Sequence, residues 1–176
     1  MNKTMLLLPL ALALAACTPD APPPGAAGPM PPPADSSVPY VADSATLAGY
    51  HWHLESAADA AGARIDALFP GDDHALTLDF ADGRVSVSGG CNGQGGSYAV
   101  GDGGKLEIGQ LMSTRKACPA PLMAADDAIA ALLAQPQEVR FEEGAPPQLR
   151  LVAADGSTTT WTGEATAEAR YGGEGE

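Results

Sequence analysis

Basic side chains are scarce in this sequence. Nine Lys and Arg stand against 22 Asp and Glu, a formal charge of −13 over 176 residues. Phosphate backbones and anionic headgroups would be repelled by such a chain, which argues against nucleic acid and acidic membrane surfaces as partners. Aromatic residues make up only 5% of the chain, although 45% is hydrophobic. No apolar run is long enough for a permanent membrane helix, because the longest, Met5 to Ala16, falls well short of the ~20 residues needed. There is no nucleophile elbow, zinc-protease helix or paired-carboxylate cleft, and Gly104-Lys105 lacks the rest of a phosphate loop. The many carboxylates have no feature that separates them from solvated surface. The chain is therefore read as a non-enzyme, with no catalytic residue and no cofactor assigned. Its length allows one ordinary domain.

The N-terminal end has the build of an export signal at 1–16: Lys3 gives a positive start and an apolar run follows. Leu14-Ala15-Ala16-Cys17 resembles the lipobox of bacterial lipoproteins, in which cleavage precedes the cysteine and lipid is attached to it. Acylation at Cys17 would make the membrane a partner, since each buried methylene adds about 0.8 kcal/mol and several chains give a stable anchor. Thr18 at the next position implies, by the rules of that class, the outer membrane of a Gram-negative cell, on either its periplasmic or its outer face. An ordinary cleaved signal with an incidental cysteine is the alternative. Residues 17–43 then form a tether, with Pro22 to Pro24 and Pro31 to Pro33 excluding helix and interior strand. At about 3.1 Å per residue such a segment reaches roughly 70 Å.

Strand signals begin near Leu47. Tyr50, Trp52 and Leu54 alternate with His51, His53 and Glu55, and Leu76, Leu78 and Phe80 alternate with Thr77 and Asp79. Asp82-Gly83, Asp102-Gly103 and Asp155-Gly156 each separate two alternating runs, the pattern of hairpins with type I′ turns, and together they imply an antiparallel meander. Residues 57–70 are open between a loop and an irregular strand. Pro121 to Gln135 alone has helical spacing, with Leu122, Ala125, Ile129, Leu132 and Leu133 on one stripe and Pro136 as a stop. That stripe is expected to cover an open end or face of the sheet. Val139 and Phe141 resume strand alternation, and beyond Thr162 the Glu-, Gly- and Ala-rich tail has too little apolar content to pack. The expected fold is mainly antiparallel β with one helix (α+β), a small, partly open, lipocalin-like barrel of about seven or eight strands.

Trp52-His53-Leu54, then Gly90-Cys91-Asn92 with Gly96-Ser97-Tyr98, then Thr114, Arg115 and Cys118, then a helix with an acid ahead of Ile129 and Leu133, and a closing Leu149/Leu151 hairpin resemble the META domain, the domain of HslJ-like heat-shock lipoproteins. The resemblance spans about residues 44–163 and leaves 164–176 as an acidic tail. It departs from the family at Asp126 or Asp127, where Glu is usual, and in the Gly93-Gln94-Gly95 run after Asn92. It implies a non-catalytic envelope protein linked to heat shock and antibiotic tolerance, monomeric as a domain, with an envelope protein of unknown identity as its possible partner. The alternatives are a binding module, for an apolar small ligand or a basic protein such as lysozyme, and a metal-binding protein built on histidine.

Once Cys17 is lipidated, Cys91 and Cys118 are the two remaining thiols in an oxidising compartment, so one pairing exists. Loop-closure entropy gives such a bridge roughly 3 to 4 kcal/mol; two free, distant thiols are the alternative. Gly93, Gly95 and Gly96 can cradle an anion with backbone N–H groups, or simply serve tight turns and a bulge. His51 and His53, at i and i+2 on one strand face, can chelate zinc or copper if a third ligand arrives, and His74 with Asp72 and Asp73 can supply one; a solvated strand face is the alternative. Thr114 and Arg115 are read as loop supports or as a partner contact.

Overall fold

A computed structural model describes residues 41–71 and 73–167. Cys17, the export signal, most of the tether, Asp72 and the tail from residue 168 lie outside the described residues. Among the described residues there are nine strands: β1 (Tyr50–Ala58), β2 (Thr77–Ala81), β3 (Arg84–Ser88), β4 (Gln94–Gly101), β5 (Lys105–Ile108), β6 (Met112–Ser113), β7 (Gln137–Glu142), β8 (Gln148–Ala153) and β9 (Thr158–Ala165). Helix α1 (Ser44–Ala48) precedes them, a 3-10 turn spans Asp66–Leu68, and α2 (Ala120–Leu133) lies between β6 and β7.

All pairings are antiparallel. Eight strands run β3-β2-β1-β9-β8-β7-β5-β4, and β4 pairs back to β3, so the barrel closes. The expected α+β barrel is thus present, with its ring complete rather than partly open. The thinnest seam is β5–β7, which pairs only Lys105 with Glu138 and Leu106 with Gln137. It is short because Pro136, just before β7, has no N–H to extend the ladder. β6 pairs with Gln94 and Gly95 on the edge of β4 that β5 uses further along, so it continues the line of β5 after a break at 109–111.

The alternation read from the sequence sets the inside. Trp52, Leu78, Phe80, Val85, Val87, Leu106, Val139, Phe141, Leu149, Leu151 and Trp161 are all buried. Trp52 meets Phe141 edge-on at 6.1 Å, and Phe80 meets Tyr98 the same way at 4.9 Å. The two indoles keep their N–H groups satisfied inside: Trp52 donates to Leu47 C=O at 2.9 Å and Trp161 to Thr159 Oγ1 at 2.8 Å. The barrel axis is filled with side chains.

All three Asp-Gly hairpins form. Only Asp82-Gly83 has both residues at positive φ, 49° and 70°; in the second, Gly103 and Gly104 take the left-handed positions, and in the third only Gly156 does. A type I′ turn therefore occurs once, because the longer loops let glycine alone absorb the strain. β1 continues to Ala58, and Ala58 bridges Arg64, so the undecided 57–70 stretch is part strand and part compact loop. β9 runs on past Thr162, with Tyr50 opposite Ala165. Ladder bonds hold this end of the strand where apolar content alone is too small.

The strand directions give the barrel two distinct ends. At one lie the turns β2–β3, β4–β5 and β7–β8, together with α1, and both chain termini of the domain: a Cβ on Gly104 would stand 2.6 Å from Val41 Cγ1, and Thr166 N–H donates to Gly49 C=O at 2.9 Å. α1 is fixed by Asp43, whose carboxylate accepts from Thr46 N–H (2.7 Å) and Thr46 Oγ1 (2.8 Å). The first of these bonds is the main reason its carboxyl sits below the ordinary range. The opposite end carries the 59–76 loop, the disulfide loops and α2.

α2 covers that end. Ala125, Ile129, Leu132 and Leu133 face inward as the spacing predicts, while Leu122 is only half-buried. Each large aliphatic buried here contributes about 2 kcal/mol. The helix starts one residue before Pro121, whose missing N–H costs nothing in the first turn. At its C-terminal end Gln137 Nε2 donates to Leu132 C=O (2.7 Å) and, just past the helix, to Gln135 C=O (2.9 Å).

Candidate functional site

The motif residues converge where α2 meets the loops at the helix-covered end. β3 ends at Ser88, and the chain turns through Gly89 to Gly93 before β4. Cys91 and Cys118 form a disulfide, with Cα atoms 5.7 Å apart, that ties this turn to the residue just ahead of α2. Beside it, Asn92 joins three segments. Its backbone N–H and its Nδ2 both donate to Asp126 Oδ2 at 2.9 Å. Its Oδ1 accepts from Thr114 Oγ1 (2.9 Å) and from Lys116 N–H (2.7 Å).

Asp126 is therefore the helix acid that matters. It is only 7% exposed, buried on the stripe that the spacing reserves for apolar side chains. A buried carboxylate needs donors, and the turn supplies them. Its Oδ1 packs so closely on Gly90 that a Cβ there would stand 2.0 Å away. Buried Gln94 (7% exposed) completes the join, donating from Nε2 to Asp126 C=O at 2.9 Å. The anion held at this turn is the chain's own, and its donors are the N–H and Nδ2 of Asn92; Gly95 and Gly96 lie in the β4 ladder instead of forming the expected glycine cradle.

The other predicted residues have the following places. Gly96 passes under the 109–111 segment, where a Cβ would meet Gln110 C=O at 3.1 Å. Tyr98 is half-buried, stacks edge-on against Phe80 and donates its N–H to Gly83 C=O at 2.9 Å. Thr114 N–H donates to Gly93 C=O at 3.1 Å, so with its hydroxyl bond to Asn92 it is a loop support. Arg115 is exposed, and no hydrogen bond or ion pair engages it among the described residues.

The structure does not gather the histidines. His51 and His53 share the outer face of β1, with His51 Nδ1 touching the Asp79 carboxylate across the ladder. His53 stands between Thr77 and Thr162. His74 lies apart on a groove of about 360 Å³ lined by Leu54, Glu55, Arg64, Leu68, Phe69 and Leu76. Arg64 already covers the Phe69 ring there, 3.7 Å from its centre, and pairs with Asp66 at 3.1 Å. Among the described residues no three His, Cys, Asp or Glu side chains are placed to hold a metal ion; Asp72 lies outside them.

Sequence reasoning missed the partner of Asn92, the bond from Gln137 to the C-terminal end of α2, and α1. The signal for the polar pair was present: Gln137 shares its inward phase with Val139 and Phe141, and Asp126 shares its stripe with Ile129 and Leu133. A polar residue in an apolar phase points to an internal bond.

The META domain profile matches residues 45–166, most of the chain. The chain belongs to the META-domain family. An NMR structure of a protein from Burkholderia xenovorans superimposes on this META barrel with a TM-score of 0.64 and 27% identity, over 85% of this chain and 100% of that one. No curated protein matches the chain. The META domain is not a known enzyme family, and membership supports at most a non-catalytic domain of envelope type.

Proposed function

We propose that this protein is a non-catalytic lipoprotein of the bacterial cell envelope, anchored at Cys17, whose META barrel serves cell-envelope tolerance of heat or antibiotic stress by docking to another envelope protein. The observation that carries this reading is the division of labour within the motif. Gly90, Cys91, Asn92, Thr114 and Cys118 engage one another or Asp126 and so form a latch, whereas Arg115 is exposed and has no bond among the described residues. The filled barrel axis favours the surface over the interior as the place of contact. The disulfide suits an oxidising compartment, and the low-complexity proline segment suits a spacer between anchor and domain.

Replacing Cys17 by Ser tests the anchor. The variant is expected in the soluble periplasmic fraction, and retention in membranes would show the lipoprotein reading to be wrong. A deletion strain complemented with the wild-type chain or with Cys17→Ser tests the role: loss of survival under heat or novobiocin that only the anchored form restores supports it, and wild-type survival of the deletion strain contradicts it.

A further inference from the structure

Three large hydrophobic side chains are exposed among the described residues, and two of them share one end of the barrel. Val41 marks the entry of the chain, while Met112 (72% exposed) and Met123 (45%) both lie at the helix-covered end. Met112 belongs to β6, which continues the line of β5 along β4 and pairs with no other strand among the described residues. Thr114 N–H donates to Gly93 C=O and Met112 stands opposite Gly95. Antiparallel ladders alternate, so Ser113 turns its own N–H and C=O away from β4, along the open edge. An edge of this kind offers backbone pairing to another extended chain.

Charge selects which chain. Arg115 and Lys116 follow β6 after Thr114, both exposed, and neither side chain has an ion pair among the described residues. They form an adjacent pair of cations in a chain of net charge −13. Their backbone is not loose: Asn92 Oδ1 holds Lys116 N–H, Thr114 is bonded on both its hydroxyl and its N–H, and the disulfide closes the loop two residues later. The latch thus fixes the backbone that carries two cations and a flexible thioether, at the barrel end opposite α1. Fixed presentation reduces the ordering cost of binding.

We propose that β6 with Arg115 and Lys116 is a docking edge for an extended acidic segment of a second envelope protein. The segment pairs with the free backbone groups of Ser113, sets its carboxylates on Arg115 and Lys116, and lays an apolar side chain on Met112. This deepens the docking role proposed above and depends on the lipoprotein reading only for the compartment in which the partner resides. Cys17→Ser fractionation, which does not involve β6, separates the failure of one from the failure of the other.

The test places the photoreactive residue p-benzoyl-phenylalanine at Met112 in the full chain, expressed in its own cell envelope. The adduct formed on illumination is mapped by mass spectrometry, with and without Arg115→Glu/Lys116→Glu. The expected result is an adduct to an acidic stretch of another protein, with a yield about tenfold lower after charge reversal and restored by Arg115→Lys/Lys116→Arg. The disulfide and melting temperature should be unchanged, since both side chains are exposed. An adduct to a basic or uncharged stretch, to a second copy of this chain or to its own tail, a yield indifferent to charge reversal, or no adduct would each overturn the proposal.

Discussion

Gly90→Ala should destabilise the domain only while Asp126 is present. The new Cβ would stand 2.0 Å from Asp126 Oδ1 and 3.2 Å from its Cγ, so the carboxylate has to move. Moving it breaks the two bonds from Asn92 N–H and Nδ2, each 2.9 Å long. Hydrogen bonds to a charged group contribute about 1.5 to 3 kcal/mol each when partly shielded. Water recovers some of that at a loop, which leaves a cost near 3 kcal/mol for the substitution. Asp126→Ala loses the same pair of bonds and should cost about as much. In the double variant the obstacle is gone, and the next atom from the new Cβ is Leu122 C=O at 3.6 Å, an ordinary contact. The second substitution then adds almost nothing, which gives a coupling energy of about 2 to 3 kcal/mol. Urea unfolding of the four proteins, followed by fluorescence of the buried Trp52 and Trp161, measures it. Costs that add to within about 0.5 kcal/mol would refute the contact as the reason for glycine at 90.

Replacing Cys91 and Cys118 together by Ser should lower stability by roughly 3 to 4 kcal/mol in the same assay, with the reduced wild-type protein behaving alike. Ile129→Ala, which empties a fully buried site beneath α2, should cost about 3 kcal/mol and leave the anchor-dependent fractionation unchanged. Asn92→Asp puts a second carboxylate against Asp126 and should cost more stability than Asn92→Ala in the same assay; an equal or smaller loss would argue against their contact. Asp155 is held below the ordinary carboxylate range, first by the amide of Gln135 and then by Ser157 N–H. Because its pKa is lower folded than unfolded, its contribution is present above about pH 4 and fades as pH drops through the folded value. Gln135→Ala should therefore lower the neutral plateau of a stability–pH curve more than its acid end, which flattens the acid limb; a plateau at the wild-type height would refute the assignment.

The barrel was legible because strand alternation and hairpin turns are local. Trp52, Leu78, Val85, Phe141, Leu149 and Trp161 all point where a period of two puts them. α2 was legible for the same reason at a period near four. Closure was not, since the β3–β4 and β5–β7 pairings depend on how far the sheet coils, and no single segment encodes that. β6 is two residues long and carries no periodicity to read. The latch was half legible: Cys91 and Cys118 could be paired by counting, but the bonds between Asn92 and Asp126 span 34 residues and depend on the face α2 presents. Alternation could not reveal why the glycine at 90 is needed either, since the obstacle is a side chain on another element.

The central claim is that the motif divides into an internal latch and one outward-facing arginine. Thermal melts of the full chain carrying Asn92→Ala or Arg115→Ala test it most directly. The account predicts a fall of about 10 °C for Asn92→Ala, from the loss of about 3 kcal/mol of bonding in a domain of this size. For Arg115→Ala it predicts a change within about 2 °C, as for a solvated surface residue. A melt for Asn92→Ala at the wild-type temperature, or a fall for Arg115→Ala as large as the one expected for Asn92→Ala, would contradict it.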